Sequence, residues 1–278
     1  MSKQLAELPE TTHHGKESVN HFAEYQNQDA DVLKDTATYV LVPGAGHPAA
    51  SYDQVQKILE AQGRTVHAVT LPGVGERRGE LSRETGLQTH IVDVVNFLRD
   101  QRLQDVVLVG HSYAGMVITG VADRVPERIR HLVYLDAVHP QPGQSLIEAQ
   151  PLIKHVPAVS KPRVVDGVTV NLYPDGDTFT FLGLLEPRDV AWAQQHLTPH
   201  PWKTFIDRLH IENSEVLASI PRTDIYTHKT AEGLTMAGMI TDEEKSRAWL
   251  IDAGHDLMLT EPDRTAEMLL AAAAHSRS

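Results

Sequence analysis

Cysteine occurs nowhere in the 278 residues, which excludes a disulfide framework, a thiolate metal site and a cysteine nucleophile. Basic residues are also scarce, 25 Lys and Arg against 37 Asp and Glu, and they form no large cluster. The resulting net charge of −12 repels phosphate backbones, so nucleic acid is not an expected partner. No uninterrupted apolar run is long enough to span a bilayer, and Met1 to Glu7 contain no apolar signal segment. A soluble cytoplasmic protein with no membrane partner is therefore expected. Aromatic residues make up only 5%, yet hydrophobic residues reach 41%, enough to bury a sizeable core.

What is present is an alternation. Ala37 to Val42, Thr65 to Thr70, Val106 to Val109 and His131 to Leu135 are short, nearly continuous apolar or β-branched runs. Strands buried on both faces of a parallel sheet have that texture. Helix-period segments lie between them: Val55, Ile58 and Leu59; then Ile91, Val94, Val95 and Leu98; then Met116, Val117 and Val121. The rhythm resumes at Thr223 to Tyr226 and Ala248 to Ile251, and a helix through Ala266, Met268 and Leu269 ends it. The fold class predicted is α/β, a mainly parallel sheet with helices on both faces. Residues 1–36 lack either period and read as an N-terminal extension; 37–278 read as the domain, with an inserted cap at about 140–217. Within that insertion a hairpin is predicted from Val168 to Leu172 and Thr178 to Phe181, turning at Pro174-Asp175-Gly176.

In such sheets the chemistry collects just past the strand C-termini. Ser112 stands there, in Gly110-His111-Ser112-Tyr113-Ala114-Gly115, between a strand and a helix. A nucleophile on so tight a turn needs small neighbours, and Ala114 replaces the second glycine of the usual Gly-x-Ser-x-Gly. A serine hydroxyl needs a base, and His255, in Ala253-Gly254-His255 after the last strand, is the candidate among 16 histidines. His196 and His200 have a metal-pair spacing but lack a third ligand, and are expected at the cap surface; no metal is expected. Gly73-Val74-Gly75 lacks the spacing of a dinucleotide fingerprint, so no cofactor is expected. His47 and His139 follow strands and read as satisfied turn residues. Phe179, Phe181, Leu184, Leu185, Trp192, Trp202 and Phe205 are candidates to line a pocket.

Val42-Pro43-Gly44-Ala45, the serine motif and Ala253-Gly254-His255 together resemble the α/β-hydrolase superfamily, in particular the esterase branch of plant methylesterases and hydroxynitrile lyases. The resemblance covers residue 37 to the end. It implies an oxyanion hole formed by the backbone N–H groups of Ala45 and Tyr113. It also implies an acid a few residues after the penultimate strand, where Ile225 to Ala231 supplies none. Asp136, closing the fourth strand, takes the place of an alternative acid site known in the superfamily; Glu232 and Asp224 are lesser candidates. The function implied is a cofactor-independent serine hydrolase acting on a carboxylic ester or lactone of a small, largely apolar molecule. A lyase, a C–C bond hydrolase or a non-enzymatic ligand receptor on the same fold are the alternatives. The sequence does not set the oligomeric state.

Overall fold

The computed structural model describes residues 37–275; the predicted extension at 1–36 lies outside the described residues. Six strands form one sheet: β1 (Thr38–Val42), β2 (Thr65–Ala68), β3 (Val106–His111), β4 (Ile129–Leu135), β8 (Arg222–Thr227) and β9 (Trp249–Ile251). Their order is β2-β1-β3-β4-β8-β9 and every pairing is parallel. The unbroken apolar runs follow from burial on both sides. Val40, Val42, Val106, Leu108 and Leu132 point to one face, against α2 (Leu87–Asp100) and α3 (Ala114–Arg124). Their neighbours Tyr39, Leu41, Val107, Val109 and Val133 point to the other face. There they meet α1 (Asp53–Ala61) and the last helix, Pro262–His275. Burying each such side chain is worth about 1.5–3 kcal/mol, so neither face tolerates polar alternation.

The chain leaves β1 outward to β2 and then crosses back to β3 on the other side of β1. That reversal opens a crevice beyond the C-termini of β1 and β3, the place where open α/β sheets bind ligands. The connection from β4 to β8 departs from the sheet to make short helices and a three-stranded antiparallel sheet of β5 (Arg163–Val165), β6 (Val168–Asn171) and β7 (His200–Pro201). The hairpin differs from the expected one. β5 and β6 pair around Asp166-Gly167, both at positive φ, 50° and 78°, the backbone a two-residue hairpin turn requires. Pro174-Asp175-Gly176 instead starts a helix, Gly176–Leu182, because the Asp175 side chain accepts the Thr178 N–H and caps it. Among the described residues no helix is long and apolar enough to cross a membrane.

Candidate active site

Ser112 sits between the end of β3 and the start of α3 at φ 54°, a left-handed conformation that costs a non-glycine residue about 1–3 kcal/mol. The surrounding backbone holds it there. Ser112 N–H donates to Leu135 C=O at 3.2 Å, and Ser112 C=O accepts from Gly115 at 3.1 Å and Val138 at 3.2 Å. The departure at Ala114 has a physical reason. The position that cannot carry a side chain is Gly115, whose added Cβ would lie 1.9 Å from the Val138 carbonyl oxygen. Ala114 is fully buried and finds room.

Ser112, His255 and Asp136 form one hydrogen-bonded line. Ser112 Oγ is 2.8 Å from His255 Nε2, and His255 Nδ1 is 2.6 Å from Asp136 Oδ2. An ionised carboxylate only accepts, so Nδ1 carries the proton and Nε2 is free to accept from the serine hydroxyl. Asp136 is buried, at φ 46°, with its own N–H on Ile225 C=O at 2.7 Å. Its remaining capacity is filled by the segment after β8: Thr227 N–H to Oδ1 at 2.9 Å and the Thr230 hydroxyl to Oδ2 at 3.0 Å. Burial works against a charge on His255. The hydrogen bond to Asp136 and the charges of Asp136 and Asp256 outweigh it and raise the imidazole pKa above its ordinary 6.5. Glu232 points to solvent, and Asp224 pairs with Arg222 at 3.5 Å.

Ala45, in the loop after β1, and Tyr113, at the N-terminus of α3, flank Ser112 on the wall of a cavity of about 380 Å³. The first turn of a helix leaves N–H groups without intrahelical partners. The Tyr113 side chain turns away, its hydroxyl donating to His90 Nδ1 at 2.9 Å while His90 Nε2–H donates to Pro72 C=O. Burial pushes His90 down to about 4, so the ring is neutral.

Of the aromatic and leucine candidates, Phe181 and Phe205 line the cavity. Phe179 and Leu184 are core of the insertion, and Leu185 is exposed. Leu146, Ile153, Val156 and Leu172 of the insertion and Leu234 after β8 add aliphatic lining, and Gln150, Lys229 and Thr230 add polar groups. One histidine is also placed differently from expectation. His200 is wholly buried, its Nδ1 accepting the Gly46 N–H at 3.0 Å, because β7 pairs with β6 inside the insertion. His196 stays half-buried on its helix, stacked on Trp192, with Nδ1 2.7 Å from Trp192 C=O. His139 lies against Tyr134 and Arg222. Among the described residues no group of three or more His, Asp or Glu could hold a metal ion.

A model of the alpha/beta hydrolase family matches residues 39–268. A carbendazim hydrolyzing esterase from Nocardioides sp. is 47% identical over 115 residues, 41% of this chain and 48% of that protein. A pyrethroid hydrolase from Sphingobium wenxiniae is 34% identical over 104 residues, 37% of each chain. This chain thus spans about half the length of such relatives, or less. Among solved structures, an extracellular alpha/beta-hydrolase from a Paenibacillus species superposes with a TM-score of 0.66 at 21% identity, over 85% of this chain and 98% of that one. Tomato methylketone synthase I does so with a TM-score of 0.70 at 19% identity, over 85% and 97%. At those identities the likeness is one of fold.

Proposed function

Because this chain belongs to the alpha/beta hydrolase family, we propose that it is a cofactor-independent serine hydrolase cleaving a carboxylic ester or lactone of a small, largely apolar molecule. The observation that carries the reading is the Ser112–His255–Asp136 line opening into a mostly apolar cavity of about 380 Å³, near the lower end of the size range of small-molecule sites. Two relatives named as an esterase and a hydrolase agree with the reaction class.

Ser112 Oγ attacks the carbonyl carbon as its proton passes to His255 Nε2, and Asp136 stabilises the imidazolium so formed. The N–H groups of Ala45 and Tyr113 take the negative charge that develops on the carbonyl oxygen. Collapse breaks the C–O bond, and His255 Nε2–H protonates the departing alkoxide. Water then attacks the acyl-enzyme, giving its proton to His255, and the acid leaves with Ser112 restored.

A panel of esters and lactones of graded acyl and alcohol size tests this, run beside Ser112→Ala and a fluorophosphonate label. Turnover of apolar members, its loss in Ser112→Ala with the fold intact, and a mass increment on Ser112 are expected. A chain inert to the whole panel, or a Ser112→Ala variant that retained substantial activity, would overturn the reading.

A further inference from the structure

The loop Gly44 to His47 is held by two buried histidines that take no part in the steps above. Gly44 C=O accepts the His47 N–H at 3.2 Å, and the His47 side chain returns to place Nδ1 2.9 Å from Ala45 C=O. Gly46 N–H donates to His200 Nδ1 at 3.0 Å, and Gly46 C=O accepts from Thr198 at 3.1 Å. In a trans peptide the N–H and C=O point in opposite directions. The His47 backbone N–H, by fixing Gly44 C=O, therefore fixes the direction of the Ala45 N–H, and the ring holds His47 in that place by tying it to Ala45 C=O.

The second ring nitrogen of His47, Nε2, is 2.9 Å from Asp256 Oδ2, with His47 1% and Asp256 0% exposed. A carbonyl oxygen cannot donate, nor can an ionised carboxylate, so two such hydrogen bonds require a proton on each nitrogen. We infer that His47 is a buried imidazolium, ion-paired with Asp256, and that it acts as a positioning residue setting the Ala45 N–H for the developing oxyanion. The role rests on the serine-hydrolase reading; the charge state does not.

Other titratable groups face the pair. His111, at the end of β3, faces it edge-on at 5.9 Å and spends its Nε2–H on His255 C=O at 2.9 Å. Burial, then the charge of His255, pushes His111 down to about 3, and its Nε2 lies 4.0 Å from Asp256 Oδ1. His200 is likewise held well below its ordinary range, by burial first and then by His90 and His47. The Tyr52 phenol, which feels the Asp256 charge, is raised by burial and stays neutral. His255, itself raised above its ordinary value, also acts to lower Asp256 when it is protonated. Asp256 is held below the usual carboxylate range. Burial opposes this, and the charge and hydrogen bond of His47 are the largest of the effects that outweigh it. The pair also joins the loop after β1 to the segment bearing the base, since Asp256 follows His255.

The charge state is read by ¹⁵N NMR of the histidine-labelled full chain at neutral pH, with His47→Gln used to assign the signals. Imidazolium shifts on both His47 nitrogens are expected. A neutral ring, one nitrogen bare and hydrogen-bonded to a protonated Asp256, would overturn the assignment. The role is read by kcat and KM of His47→Gln and Asp256→Asn on an ester the wild type cleaves. The expected result is a kcat about 10²-fold lower, the cost of a small misplacement in an aligned site, with KM little changed. A lower Tm with wild-type kcat per folded molecule would reduce the pair to a structural tie and defeat the positioning role. Should either variant fail to fold, the other and the wild-type spectrum still decide. A wild type that cleaved no ester would defeat the hydrolase reading and the role together, leaving the charge state to the spectrum.

Discussion

The Thr230 hydroxyl donates to Asp136 Oδ2 at 3.0 Å, the same oxygen that His255 Nδ1 reaches at 2.6 Å. Thr230 stands in the segment after β8 where the acid is usually carried, so here that segment serves a carboxylate borne by the neighbouring strand. The Thr227 hydroxyl in turn donates to Thr230 Oγ1 at 3.0 Å, which directs the Thr230 proton toward Asp136. A hydrogen bond to a charged group is worth about 1.5–3 kcal/mol. Thr230→Val should lower Tm by several degrees and reduce kcat, and Thr230→Ser, which keeps the donor, should restore both; thermal melts and initial rates check this.

Asp136→Asn keeps the volume but removes the charge and permits the wrong imidazole tautomer. In the serine-protease precedent that change costs about 10⁴ in kcat, and a loss of that order is expected here. Glu232→Gln and Asp224→Asn, whose carboxylates make no hydrogen bond to His255, should stay near wild-type kcat. An active Asp136→Asn enzyme would move the acid elsewhere.

In the proposed mechanism His255 accepts the serine proton only as neutral imidazole. Because the folded pKa of His255 is raised above 6.5, the rate should fall on acidification with a midpoint above 6.5, read from kcat/KM against pH. The linked stability runs the other way. A raised histidine pKa stabilises the fold fully below the unfolded value, and that contribution is lost as pH rises through the folded one. Any residual activity of Asp136→Asn should show its limb at lower pH, since burial then acts with less opposition.

Four other histidines have the opposite sign. His90 and His139 are pushed down to about 4, His111 to about 3 and His200 well below its ordinary value, in each case by burial first. The unfolded chain protonates these rings below its histidine pKa while the folded chain does not. Each therefore removes up to about 1.4 kcal/mol of stability per pH unit as pH falls toward its folded pKa. Urea midpoints should drop between about pH 6.5 and about pH 4.5, and a flat profile would contradict the neutral assignments.

At the nucleophile turn, Gly115→Ala would set a Cβ 1.9 Å from the Val138 carbonyl oxygen, and the backbone must shift to relieve it. Overpacking of this kind costs about 1–3 kcal/mol, so a lower Tm is expected, with kcat reduced because Val138 N–H also holds Ser112. Ala114→Gly should cost only about 0.5–1 kcal/mol, the ordinary helix penalty, and leave kcat alone. Equal effects from the two variants would contradict this account of the motif.

The strand runs, the serine turn and the last histidine are legible in the amino-acid order because local rules write them. A strand buried on both faces must be apolar throughout, a left-handed nucleophile needs small neighbours, and each signal is complete within about ten residues. Asp136 is the favoured of three candidate carboxylates in the sequence; the order β4-β8-β9 brings it to His255 and gives it Thr227 and Thr230 as donors. The misplaced hairpin has a local cause of a different kind, since Asp-Gly and Pro-Asp-Gly both read as turns and only the capping bond of Asp175 separates them. His47, His200 and Asp256 carry no pattern that marks them as partners. Their contacts span 154 and 209 positions, and whether a buried histidine is neutral or charged depends on which atoms face its two nitrogens, which tertiary packing alone decides.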